Sequence, residues 1–225
     1  MKDLLNLIYI FIRPRRVFER VKDKPDYLYP LITIITVQVI STLRSVSMMS
    51  AKLNIPVNKG LLIFISSFAS IIGVLFELLF LWIVFVIAIL ILGKREKYKN
   101  LFSVILYGYL PNSLILIIRA IVGLPGRGRG ISVILSDKAS PYLFALLSRV
   151  DIFYIWSIIL IIFGISVLYG LKRREVLILI LIFLIYFFIT PLLFKSQYNE
   201  ASTIKNQSEP SRRGMFPPFL RRRKP

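Results

Sequence analysis

The sequence predicts an all-α polytopic membrane protein: a bundle of about five transmembrane helices preceded by an amphipathic interfacial helix. Three observations carry this. The 225 residues are 56% hydrophobic and only 18% charged, where a soluble domain holds about 45–50% apolar and about 25% charged residues. The mean hydropathy is +0.74. Uncharged runs close to the roughly 20 residues that cross a hydrocarbon core of about 30 Å recur along the chain. So many apolar runs in so short a chain leave no polar face for water, which excludes buried helices of a large soluble protein.

Residues 1–26 form a basic amphipathic segment. Lys2 is followed by Leu4, Leu5, Leu7, Ile8, Ile10 and Phe11, and then by Arg13, Arg15 and Arg16. The apolar stretch is short and runs into arginines rather than a small-residue cleavage site, so it is not read as a signal peptide. An interfacial helix is expected, with the three arginines on anionic lipid headgroups. Pro14 ends this helix or starts the next. Val17, Phe18 and Val21 give a second short apolar face beside Arg20, Lys22 and Lys24.

Residues 27–194 hold the spans. The first runs from Tyr27 to Leu43, and the second from Gly60 to Leu92, broken only by Glu77. The third runs from Leu101 to Ile118 and continues past Arg119. The fourth runs from Ile152 to Leu171 and the fifth from Val176 to Phe194. Asp151 directly precedes the fourth and is expected to cap it. Thr190-Pro191 kinks or ends the fifth. Residues 195–225 form a basic, proline-containing tail that reads as largely disordered.

Loop charge sets the orientation. Up to Pro25 there are seven Lys/Arg, the loop after the second span holds Lys94, Arg95, Lys97 and Lys99, and Lys172, Arg173 and Arg174 precede the fifth span. These 14 stand against 9 near the opposite face. The N-terminus is therefore expected in the cytoplasm and, with five spans, the C-terminus outside.

Ionisable residues at membrane depth are costly and mark candidate sites. Arg44, Glu77 and Arg119 each lie 16 to 19 residues from the cytoplasmic end of their spans. Counted that way they share one depth within about 5 Å, so Glu77 is expected to pair with Arg119 or Arg44. The plainer reading is a structural ion pair that fixes packing; the sharper one is a substrate or proton path. Pro111 and Asn112 interrupt the third span as a candidate kink, with a freed carbonyl taken up by Asn112 or a neighbouring hydroxyl. Ser66, Ser70 and Gly73 make a strip of small residues that lets two backbones approach. After the third span, Leu124-Pro-Gly-Arg-Gly-Arg-Gly130 places Arg127 and Arg129 beside free backbone N–H groups, a candidate headgroup site. Its plainer reading is a flexible connector.

Cysteine and histidine are absent. That removes disulfides, thiol nucleophiles, Cys/His zinc sites and any imidazole base. The spans offer one carboxylate where an aspartyl mechanism needs two, and no nucleotide fingerprint occurs. No enzyme activity, cofactor or metal is expected. The net charge of +19 lines loops and tail beside lipid, so anionic headgroups, not nucleic acid, are the expected partners. Other membrane proteins or a second copy are further candidates.

Val150-Asp-Ile-Phe-Tyr-Ile-Trp156, with Gly164, Tyr169 and Gly170, resembles the signature segment of the Yip-domain family of integral membrane proteins, whose eukaryotic members are the Ypt/Rab-interacting proteins. Pro14 and Phe18, Pro25, Tyr29-Pro-Leu31 and the aromatic-proline motif Tyr107-Gly-Tyr-Leu-Pro111 agree with it. The resemblance covers residues 11 to 190 or so and implies a five-helix bundle with a cytoplasmic N-terminus. Its eukaryotic members imply vesicle traffic through small GTPases. That role is not carried over, because their long hydrophilic N-terminal region and Asp-Leu-Tyr-Gly-Pro motif are missing from this sequence. The resemblance is to a compact prokaryotic-type member in a cell membrane. The expected function is non-enzymatic organisation of protein partners or lipids. The competing expectation is a small transporter, channel or lipid-moving protein with its path at Arg44, Glu77 and Arg119.

Overall fold

The computed structural model describes residues 2–53, 58–94, 97–122, 142–143, 146 and 151–193, with the side chains of 2–5, 49–53, 119–120 and 190–193 left out. The helices are α1 (Lys2–Ile12), α2 (Pro14–Asp23), α3 (Leu28–Leu53), α4 (Lys59–Ile91), α5 (Tyr98–Val122), α6 (Ile152–Tyr169) and α7 (Arg173–Leu193). There is no strand among the described residues. Four helices are long and apolar enough to cross a membrane: Leu28–Met48, Lys59–Ile91, Tyr98–Ile118 and Ile152–Tyr169. Helix α7 occupies the segment where the fifth span was expected. The tail from residue 195 lies outside the described residues.

Local chemistry sets the helix limits. The Arg13 N–H closes α1 on the Tyr9 carbonyl at 2.7 Å, and Pro14 then opens α2, where its missing N–H costs nothing. The Asp151 carboxylate accepts the Tyr154 N–H at 2.7 Å, so the expected cap of α6 is present. At the other end of α6, Gly170 takes φ +61°, a left-handed conformation that favours glycine. Leu171 there donates back to the Ser166 carbonyl. Helix α7 runs through Pro191 and ends two residues later.

The bundle is built around α5. Between Leu101 and Leu110 every residue except Phe102 is buried. Helices α1, α2, α3, α4 and α6 all pack on α5, while α7 packs on α4 and α6. In lipid, helices associate through close contact and hydrogen bonds, since lipid tails are as apolar as leucine. The closest approach is between α5 and α6. A β-carbon on Gly108 would lie 3.0 Å from the Ile161 amide nitrogen and 3.1 Å from its Cα. The close approach was expected along Ser66, Ser70 and Gly73. A β-carbon on Gly73 would meet nothing within 4 Å, so Gly73 takes no part in such a contact.

The N-terminal segment packs into the bundle. Val17, Phe18 and Val21, which the sequence marks as a second short apolar face without indicating what covers it, are no more than 1% exposed. Phe18 packs against Gly164 and lies edge-on to Phe163 at 6.1 Å. Amphipathicity identifies an apolar face but not what covers it; here α6 and α5 do. In α1, Ile10 is buried while Ile8 and Ile12 remain exposed. Helices α1 and α2 form a hairpin, tied by the Arg20 guanidinium donating to the Asn6 side chain at 3.3 Å.

Candidate functional site

Helices α3 and α4 meet through polar side chains. Gln38 Nε2 donates to Ser70 Oγ at 2.7 Å, and Thr42 Oγ1 donates to the Gln38 carbonyl at 2.9 Å. Thr42 and Ser70 share a third bond of 2.9 Å. Because the single Thr42 proton is used on the Gln38 carbonyl, Ser70 is the donor in that bond, and the three groups form one directed chain. Gln38 is 7% exposed, and its Oε1, like Ser67 Oγ nearby on α4, has no hydrogen-bond partner. A buried acceptor without a donor costs about 1–3 kcal/mol. The seam is therefore both a structural tie and a place where a donor would be welcome. Gln38 and Thr42 were not singled out from sequence, although two polar residues four apart inside an apolar run is the signal of one polar helix face.

The same contact fixes the register of the candidate charges. Consecutive helices joined by so short a connection run antiparallel. Arg44 lies six residues beyond Gln38 on α3, and Glu77 lies seven beyond Ser70 on α4, in opposite directions. At about 1.5 Å per residue they stand about 20 Å apart along the bundle. The expected pairing of Arg44 with Glu77 is thus overturned: counting inward from the cytoplasmic ends assumed that the start of α3 is level with the end of α4, and the Gln38–Ser70 contact shows that it is not. Arg44 is exposed and Glu77 half-buried. The Arg119 side chain lies outside the described residues.

Helix α5 passes Pro111 without a break. The Asn112 N–H, directly after the proline, donates to Ser157 Oγ of α6 at 2.9 Å. A neighbouring hydroxyl was expected at this point; it takes up an N–H rather than a carbonyl. One helical turn earlier, the buried Tyr107 hydroxyl donates to Asp26 Oδ2 at 2.8 Å, just ahead of α3.

One end of the bundle gathers the three basic segments that the loop-charge count put on one face. The Asn100 carboxamide donates to the carbonyls of Val21 and Lys22 at 2.8 and 2.9 Å, joining the end of α2 to the start of α5. Lys94 pairs with Glu175 at 2.9 Å, joining the end of α4 to α7. The Lys172 N–H donates to the other Glu175 oxygen at 2.7 Å. The Lys94 hydrogen bond, then that of Lys172, hold the Glu175 carboxyl below its usual range. Arg13, Arg15 and Arg16 are all exposed on the hairpin, and Arg15 pairs with Glu19 at 2.9 Å. Arg127 and Arg129 lie outside the described residues. No group of three acidic residues able to hold a metal occurs among the described residues.

Among known proteins, the model of one family, described as the Yip1 domain, matches residues 8–194. No curated protein and no solved structure matches the chain.

Proposed function

The chain belongs to the Yip1-domain family, and on that premise we propose that this integral, multi-pass membrane protein is a non-enzymatic bundle that organises protein partners or lipids. The work is done through the basic hairpin α1–α2 and the loops beside it. The observation that carries the reading is the gathering of Lys22, Lys94 and Lys172 at one end of a bundle whose centre is filled by α5. Such a cationic end attracts anionic headgroups and acidic protein surfaces. The excess of Lys/Arg there supports a cytoplasmic N-terminus, and the resemblance to compact prokaryotic-type members supports a prokaryotic cell membrane.

Crosslinking in cells followed by mass spectrometry tests the scaffold. Reproducible crosslinks from Lys22, Lys24, Lys94 or Lys172 to the same partners are expected, and a chain with none sinks the scaffold's protein-organising half. Sidedness is tested separately. The sequence has no cysteine, so Asp23→Cys introduces one label site, expected to react only from the cytoplasmic face.

The competing reading, a small transporter, channel or lipid-moving protein, is favoured by the unpartnered Gln38 Oε1. Liposome flux and lipid-scrambling assays separate the two. Wild type and Gln38→Leu are both expected to be silent. Flux in wild type that Gln38→Leu abolishes overturns the scaffold.

A further inference from the structure

An apolar trough of 560 Å³ runs between α6 and α7, lined by Ile155, Ile159, Phe163, Ile180, Leu184 and Phe187 among others. It is partly open, and α6 and α7 touch only sparsely beside it. At the Ser166 end it meets a second, polar depression. That depression is lined by Arg15, Glu19 and Lys22 of α2 and by Phe163, Ser166, Val167 and Gly170 of α6. Phe163 and Ser166 belong to both, so the two are one continuous surface.

We propose that this surface is a binding site for an anionic phospholipid: the phosphate sits between Arg15 and Lys22, and an acyl chain lies in the trough. Three features commit the site to that occupant. The trough follows α6 from Ser166 to Tyr154, about 18 Å at about 1.5 Å per residue. That is close to half of a hydrocarbon core of about 30 Å, one leaflet's depth. The medium facing it between two apolar helices is hydrocarbon. Among the described residues that line the surface, the cations stand at the end near Gly170, where α6 stops and a headgroup would lie. Glu19 engages Arg15 through Nε alone at 2.9 Å, which leaves both terminal nitrogens of the guanidinium for phosphate oxygens. Lys22 is exposed on the same rim.

This deepens the lipid half of the proposed function and rests on it. Glu19 gives the test an arm of opposite sign. The Glu19 carboxylate competes with the phosphate for Arg15, so removing its charge strengthens binding.

The experiment is native mass spectrometry of the full chain released from nanodiscs of equal phosphatidylglycerol and phosphatidylcholine. Wild type is expected to retain phosphatidylglycerol in preference. Arg15→Gln with Lys22→Gln lowers that retention, each cation contributing about fivefold, and leaves phosphatidylcholine unchanged. Glu19→Gln raises it, a gain that misfolding does not produce. Ile159→Trp fills the trough and lowers retention of both lipids. Equal retention of the two lipids by wild type overturns the proposal, as does indifference to both Glu19→Gln and the double variant. If instead Ile159→Trp leaves lipid retention unchanged and dissociates a dimer, the trough belongs to a second copy and the proposal fails. Crosslinks to protein partners that persist through such a failure leave the scaffold reading standing.

Discussion

Tyr107 and Asp26 are joined by a hydrogen bond of 2.8 Å that crosses from the buried centre of α5 to the residue two before α3. The phenol ring is fully buried, so its hydroxyl has few alternatives, and the carboxylate gives the bond the strength of a charged acceptor. Tyr107→Phe keeps the ring and removes the donor. It is expected to cost about 1.5–3 kcal/mol, read as a lower unfolding midpoint in detergent micelles. Asp26→Asn, which keeps an acceptor, is expected to cost less.

Ser157 accepts the N–H of the residue after Pro111. Ser157→Ala removes the acceptor of the Asn112 N–H at a part-buried contact and is expected to cost about 0.5–1.5 kcal/mol. Ser113→Ala on α5 is the control. Ser113 Oγ is buried without a hydrogen-bond partner, so its removal is expected to be neutral or stabilising. If the two variants melt alike, Ser157 is not acting as the acceptor.

Gly108 and Gly164 face different obstacles, which ranks them. At Gly108 a new methyl meets the backbone of Ile161, which can yield only if the helices separate. At Gly164 it meets Val104 Cγ1 at 2.6 Å and Phe18 Cε1 at 2.7 Å, both side-chain atoms that can shift. Gly108→Ala is expected to cost more than the 1–3 kcal/mol or so typical of overpacking, and Gly164→Ala to fall within it. Thermal unfolding of the two variants checks the order.

Acid is expected to loosen the end of the bundle where α4 meets α7. The Glu175 carboxyl is held below its ordinary value of 4.5 by Lys94 and Lys172. A group whose pKa is lowered on folding stabilises the fold above its unfolded value, and that contribution fades as pH falls through the folded one. Amide protection factors around Gly93 and Lys172, corrected for the intrinsic pH dependence of exchange, are therefore expected to fall below about pH 4.5. Glu175→Gln should already exchange quickly at neutral pH and show no further acid step from this tie.

Much of this architecture was legible because hydropathy and helix chemistry are local. Asp151 capped α6 and Pro14 opened α2 as read from their neighbours alone. The Arg44–Glu77 pairing failed because depth is not local. It depends on how far α3 slides along α4, and that is set by Gln38 meeting Ser70, two residues 32 positions apart. What covers Phe18 was not legible for a related reason, since a lipid-facing and a protein-facing apolar stripe have the same spacing. What told them apart was Gly164, far along the chain, which leaves the space that the Phe18 ring fills.

Helix α4 is 33 residues long, about 50 Å at about 1.5 Å per residue, against a hydrocarbon core of about 30 Å. Such a helix must lean, push its ends into the headgroups, or thicken the bilayer around itself, and each carries a cost for every ångström of mismatch. Through Lys94 and Glu175 the end of α4 is fastened to α7, and through Gln38 and Ser70 its middle is fastened to α3. Bilayer thickness therefore bears as a mechanical load on both contacts, and the membrane a cell offers becomes one of the forces that set the angle between these helices.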